Sequence, residues 1–132
     1  MPDAKPIPNG ANWHESKWLS MPLLKPVPLI WTAIEQTRMI GLMYHDKERI
    51  VEPHDHGVLK GSVQLLGYQT GGASSRRLPN WLLMKTDEIV NLELLDQTFP
   101  GGRPTATGNH IRWDKLFIRV KPASERWRTG SQ

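Results

Sequence analysis

Cysteine is missing from the chain, and that closes several chemistries at once. Without thiols there is no disulfide, no thiolate metal site and no cysteine nucleophile. Long apolar runs are missing too. No stretch approaches the roughly 18 residues that a membrane span needs, so the sequence predicts a soluble protein with no membrane partner. The opening residues, MPDAKPIPNG, are polar and broken by proline. They lack the apolar centre of a secretory signal, and a cytoplasmic location is the expectation. Serines are few and sit in loop-like stretches, with no Gly-x-Ser-x-Gly elbow. No internal repeat is seen.

What the chain does have points to one small domain. Its 132 residues suit a single core, with 38% hydrophobic residues. Eleven Pro and eleven Gly imply many turns, and six Trp supply aromatic anchors. The net charge of +4 is uneven. Residues 1–28 hold three Lys and two acids, 29–98 hold seven basic residues against nine acids, and 99–132 hold seven against two. The centre is mildly acidic and the C-terminal end basic. A basic tail can hold phosphate backbones, though a solvated tail is the plainer reading.

Residues 1–27 read as a Pro-rich extended N-terminal arm. Pro2, Pro6, Pro8, Pro22, Pro26 and Pro28 rule out a long helix there. No helix-turn-helix fits in this stretch. Residues 1–10 are expected to be disordered. Residues 11–27, with Trp13, Trp18 and several Leu, are expected to lie on the domain or on a partner. The domain itself is placed at 28–121, and a basic C-terminal tail at 122–132. Pro28 suits a first helical turn. Leu29, Ile30, Ala33 and Ile34 form one apolar stripe, predicting a helix from Pro28 to about Arg38 that stops near Gly41. Strands are predicted at Met39–Tyr44, Arg49–Glu52, a short segment between Gly57 and Gly61, Ser62–Gln69, Trp81–Lys85, Ile89–Leu95 and Ile111–Val120. His45–Glu48 reads as a turn and Thr70–Asn80 as a loop. Short strands with turns between them predict a mainly β fold: a small barrel preceded by one helix.

The pieces "IGLMYHDKERIVEPHDHG", "VQLLGYQTGGASS" and "NWLLMKTDEIVNLELLDQTF" carry a resemblance. In order and spacing they resemble the WYL domain, a small Sm-like or SH3-like barrel found mostly in bacterial regulators. The similarity covers about residues 29–99 and is strongest to stand-alone members. The triplet that names the family falls on Val63-Gln64-Leu65, where only Leu65 is kept. The family's basic, ligand-facing strand falls on Trp81–Ile89, where its basic positions become Leu82, Lys85 and Glu88. The resemblance implies a ligand-sensing module that binds nucleotides or single-stranded nucleic acid through the barrel. No DNA-binding helix pair accompanies it here.

Four constellations could carry chemistry. Glu52, His54 and His56 alternate as strand residues do and could share one face. Two imidazoles and a carboxylate can hold a divalent metal. Pro53 and Gly57 instead suggest a strand end, with His54 bonding a neighbouring carbonyl, and no metal or cofactor is expected. In "TGGASSRR", Gly71-Gly72 could form an anion-binding nest with Arg76 and Arg77 as donors, or a plain hairpin loop. Tyr68 and Trp81 could stack bases or simply pack. No catalytic set is found. The expected ligand-binding residues are Arg49, His54, His56, Tyr68, Gln69, Arg76, Arg77 and Lys85.

The sequence therefore predicts a non-enzymatic regulatory module that binds a small anionic ligand, such as a nucleotide or short single strand. The alternative is a protein-interaction subunit that docks a partner through residues 11–27 and the basic tail. A His-based metal enzyme ranks last.

Overall fold

The computed structural model describes residues 24–104 and 111–123. Regular structure begins at Pro28, whose fixed φ and missing N–H fit the first turn of a helix. This helix, α1, spans Pro28–Gln36. It ends two residues earlier than the sequence predicts, because Thr37 takes a left-handed φ of 49° and its N–H caps Ala33 and Ile34. Ile30, Ala33 and Ile34 form the buried stripe.

Among the described residues six strands follow: β1 (Arg38–Tyr44), β2 (Lys47–Leu59), β3 (Ser62–Gly72), β4 (Asn80–Lys85), β5 (Ile89–Thr98) and β6 (Lys115–Arg119). A 3-10 turn at Thr86–Glu88 joins β4 to β5. All strand pairings are antiparallel. The sheet runs β4-β3-β2-β1-β5, with β6 added on β2. The predicted class, mainly β with one leading helix, is what the structure shows. The sheet is open: β4 and β5 are its two ends, and no pairing joins them among the described residues.

Two tight turns set the register. The β1–β2 hairpin needs only His45 and Asp46, both with positive φ (52° and 64°). The β2–β3 hairpin uses Lys60 and Gly61, with φ of 50° and 77°. Such mirror-image turns match the twist of the strands they join. The sequence predicts a four-residue turn at the first of these, which the pairing Tyr44↔Lys47 replaces.

The largest departure from the sequence reading lies in β2. Pro53 does not end a strand. β2 runs for 13 residues, straight through Pro53 and Gly57. Proline cannot donate to a ladder and is tolerated in strands at bulges. Here it sits at a register shift between Pro53 and Asp55. The ladder with β1 stops at Val51, and β6 takes over that edge from Asp55 to Val58. β3 stays on the other side throughout. A single bend thus lets one strand serve three neighbours. Gly57 makes room for β6, since a Cβ there would collide with the Lys115 carbonyl. Gly67 opposite the bend leaves room for the buried Val51 side chain.

Strand ends also shift. β3 extends to Gly72 and β5 to Thr98, while β6 starts only at Lys115, so 111–114 precede the strand. The core lies between α1 and one sheet face: Ile30, Ala33 and Ile34 meet Ile40, Leu42, Val51, Leu65, Met84, Phe99 and Val120. Among the described residues, no helix is long and apolar enough to cross a membrane.

Candidate functional site

The Glu52–His56 segment is almost wholly buried, which is unusual for five consecutive residues of this polarity. The bend explains the arrangement. It breaks the alternation, so Glu52, His54 and His56 do not form one chelating row.

Each polar group in the segment has a definite partner. His56 is fully buried. Its Nδ1 lies 2.9 Å from the Gln64 carbonyl oxygen, which can only accept, so Nδ1 carries the proton. Its Nε2 accepts the Val27 N–H at 2.9 Å. His54 repeats the pattern: Nδ1 faces the Glu52 carbonyl at 2.8 Å, and Nε2 accepts the Arg103 N–H at 3.1 Å. Both rings are therefore neutral and hold the same tautomer. Burial pushes both below the usual histidine range, opposed at His54 by its bond to the Glu52 carbonyl and by the Glu52 and Asp55 charges. A metal would need a ring nitrogen that these backbone bonds already use. Among the described residues, no group of three or more His, Asp and Glu side chains is arranged to hold a metal.

The carboxylates are equally committed. Glu52 accepts from Arg103 Nε at 2.7 Å and from its Nη2 at 3.0 Å. That pairing raises the Arg103 pKa above its ordinary value. Asp55 accepts from Arg119 Nε and Nη2, both at 3.0 Å, and from Trp113 Nε1 at 3.1 Å. Backbone bonds continue the seam: Val120 N–H to His54 O and Asp114 N–H to Val58 O. The segment is a polar strip that fastens the chain entering at Val27 and the chain returning at Arg103 and at 113–120. The sequence reading did not find Asp55, Arg103, Trp113 or Arg119 in this role. Their partners lie 51 to 64 residues away. The one available signal was the excess of base after residue 99 beside an acidic centre. Part of that excess neutralises β2 rather than forming a solvated tail.

The other expected ligand residues fall into three places. Arg49 is buried and donates to the Tyr44 carbonyl and, at 3.0 Å, to Gln69 Oε1. Burial lowers its pKa. Gln69 donates in turn to the Gly71 and Ala73 carbonyls, both at 2.9 Å. These two residues come together, but as a brace for the end of β3. Tyr68 and Trp81 are cross-strand partners, with ring centroids 5.0 Å apart. Arg103 lies over the Tyr68 ring at 4.7 Å, and His54 meets the edge of Trp81 at 4.8 Å. Arg76 and Arg77 are exposed in the 73–79 connection, and Lys85 is exposed at the end of β4. Lys85, Leu83 and Trp81 alternate onto the face opposite the core. Leu82 turns inward against the core and Glu88 bonds His45 at 2.7 Å. The expected set is thus not one pocket. A cleft of about 340 Å³ takes in one of the expected residues, Arg49, beside Glu48, Asn91 and Glu93; two carboxylates accompany that single guanidinium, which already donates to Tyr44 and Gln69.

The expected arm (11–23 of it) and tail (from 124), with Trp13, Trp18 and Trp127, lie outside the described residues. Comparison with known proteins adds no relative: no family model, curated protein or solved structure matches the chain.

Proposed function

We propose that this protein is a non-enzymatic binding module of the WYL-like kind, and that it takes a small anionic ligand with a planar base on the outer face of β3 and β4. One observation carries the reading. From Thr70 to Thr86 the chain has three cations, Arg76, Arg77 and Lys85, and no acid. All three are exposed, and along the chain they flank Trp81, the cross-strand partner of Tyr68; Arg103 already covers the Tyr68 ring, which leaves Trp81 as the stacking face. Cations track a phosphate backbone while aromatic faces stack bases. The commitment of both buried histidines to backbone bonds favours binding over catalysis. An Sm-like or SH3-like rolling of the sheet belongs to the same proposal. The bend at Pro53, which hands one edge of β2 from β1 to β6, favours it.

The test is fluorescence anisotropy of a labelled single-stranded oligonucleotide, with free nucleotide as competitor. Three phosphate contacts give a log–log salt slope of about −2, hence roughly 15-fold weaker binding between about 50 and 200 mM salt. Arg76→Ala with Arg77→Ala should abolish most of that dependence. Wild-type protein that binds neither probe, or a double variant that binds unchanged, refutes the site.

A further inference from the structure

The two ends of the sheet are built differently. β5 shifts register twice against β1, and Asn91 within it has a left-handed φ of 53°. Irregularities of this kind spoil an edge for further pairing. β4 has none. It pairs with β3 in unbroken register from Asn80 to Lys85, and it contains no proline, glycine or acid. Among the described residues no strand covers its outer edge. Leu83 on it is 38% exposed. Its flanks carry opposite charge: Arg76 and Arg77 precede the strand, and Asp87 and Glu88 follow it. All four are exposed.

We propose that β4 pairs antiparallel with β4 of a second copy of this chain, across a two-fold axis passing midway between the two copies of Leu82. Antiparallel pairing by a two-fold requires the axis to stand normal to the sheet, so the outer faces of both copies stay on one side. Residues opposite each other must then share a face, and the axis must pass midway between a residue and its own copy. Centred on Leu82, the register sets Trp81 of each copy opposite the exposed Leu83 of the other. Antiparallel pairing also brings the basic 76–77 flank of each copy to the same end as the acidic 87–88 flank of the other; these flanks are a bend and a 3-10 turn outside the ladder. Centring on Leu83 would set the two Leu83 side chains together but Trp81 opposite Lys85. Centring on Trp81 would set the two Trp81 rings together but Leu83 opposite Pro79, outside the strand. Within the strand, the Leu82 register alone gives both outward apolar side chains, Trp81 and Leu83, an apolar partner; with the opposed charge of the flanks this is the self-complementarity that a two-fold interface demands. The dimer does not depend on the ligand reading, although both use the same two arginines.

Sedimentation equilibrium on the full chain tests this with charge exchange. One variant carries Arg76→Glu and Arg77→Glu, the other Asp87→Lys and Glu88→Lys; circular dichroism checks that each keeps the wild-type fold. Wild-type protein is expected to dimerise, and to dissociate as salt is raised. Each variant alone should dimerise at least tenfold more weakly, and an equimolar mixture should form a one-to-one heterodimer. Leu83→Lys, which leaves all four flanking charges in place, should also weaken the dimer. The Asp87/Glu88 variant keeps both arginines, so it loses the dimer without losing an anionic ligand, which separates the two proposals. A wild-type chain that stays monomeric at about 1 mM, leaving the edge to some other extended segment, overturns the inference. So does a dimer indifferent to both reversals, or a mixture that remains monomeric.

Discussion

Asp55 and Arg119 form a pair whose two members are unequally buried, and that inequality gives a directional expectation. The Asp55 side chain is 3% exposed, while Arg119 is 36% exposed. Arg119→Leu strands a carboxylate away from water with only the Trp113 N–H for company. Breaking a buried pair from that side costs about 3–5 kcal/mol. Asp55→Leu removes the same two guanidinium bonds, yet the guanidinium left behind can turn to solvent. The loss is then nearer the worth of charge-assisted hydrogen bonds, about 1–3 kcal/mol. The double variant leaves no stranded charge and should cost less than the two single losses added together. Urea unfolding reads all three. At a slope of about 1.5 kcal/mol per M, a gap of roughly 2 kcal/mol separates the two single-variant midpoints by about 1.3 M. Equal costs, or a larger cost for Asp55→Leu, would refute the claim that the carboxylate is the locked-in member.

The buried histidines set a pH dependence. Both titrate below their unfolded value, because burial disfavours the charged ring. The unfolded chain therefore binds more protons than the folded one as pH falls below about 6.5, and stability drops by up to about 1.4 kcal/mol per pH unit for each ring. His56→Gln should flatten that slope in urea titrations below neutrality; an unchanged slope would exclude His56 as its source. At Gly67, an added methyl collides with Val51 Cγ1. Gly67→Ala should cost about 1–3 kcal/mol by overpacking, and Val51→Ala in the same chain should recover part of it, as thermal unfolding of the two variants would reveal.

Local patterns were the readable part of the sequence. Pro28 and the Leu29–Ile34 stripe located α1, and the strand expected at Ser62–Gln69 is β3, which runs on to Gly72. Tyr68 and Trp81 fall in the strands expected at Ser62–Gln69 and Trp81–Lys85, and these two strands pair. Pro53 misled, because a proline at a bulge and a proline at a strand end look the same until the partner strand is known. The positive φ values at His45 and Asp46 hid a two-residue turn, since neither residue is the glycine that usually marks one. The polar strip was unreadable for a different reason. Glu52 and Asp55 meet arginines that only tertiary folding brings near, and no local spacing encodes those contacts.

Long-range ¹⁵N–¹H correlation of the histidine rings at neutral pH tests most directly whether the Glu52–His56 segment fastens the fold rather than performs chemistry. His54 and His56 are expected to show a protonated Nδ1 and a bare, hydrogen-bond-accepting Nε2, unmoved by added zinc. Charged rings, the opposite tautomer, or a shift on zinc addition would contradict it.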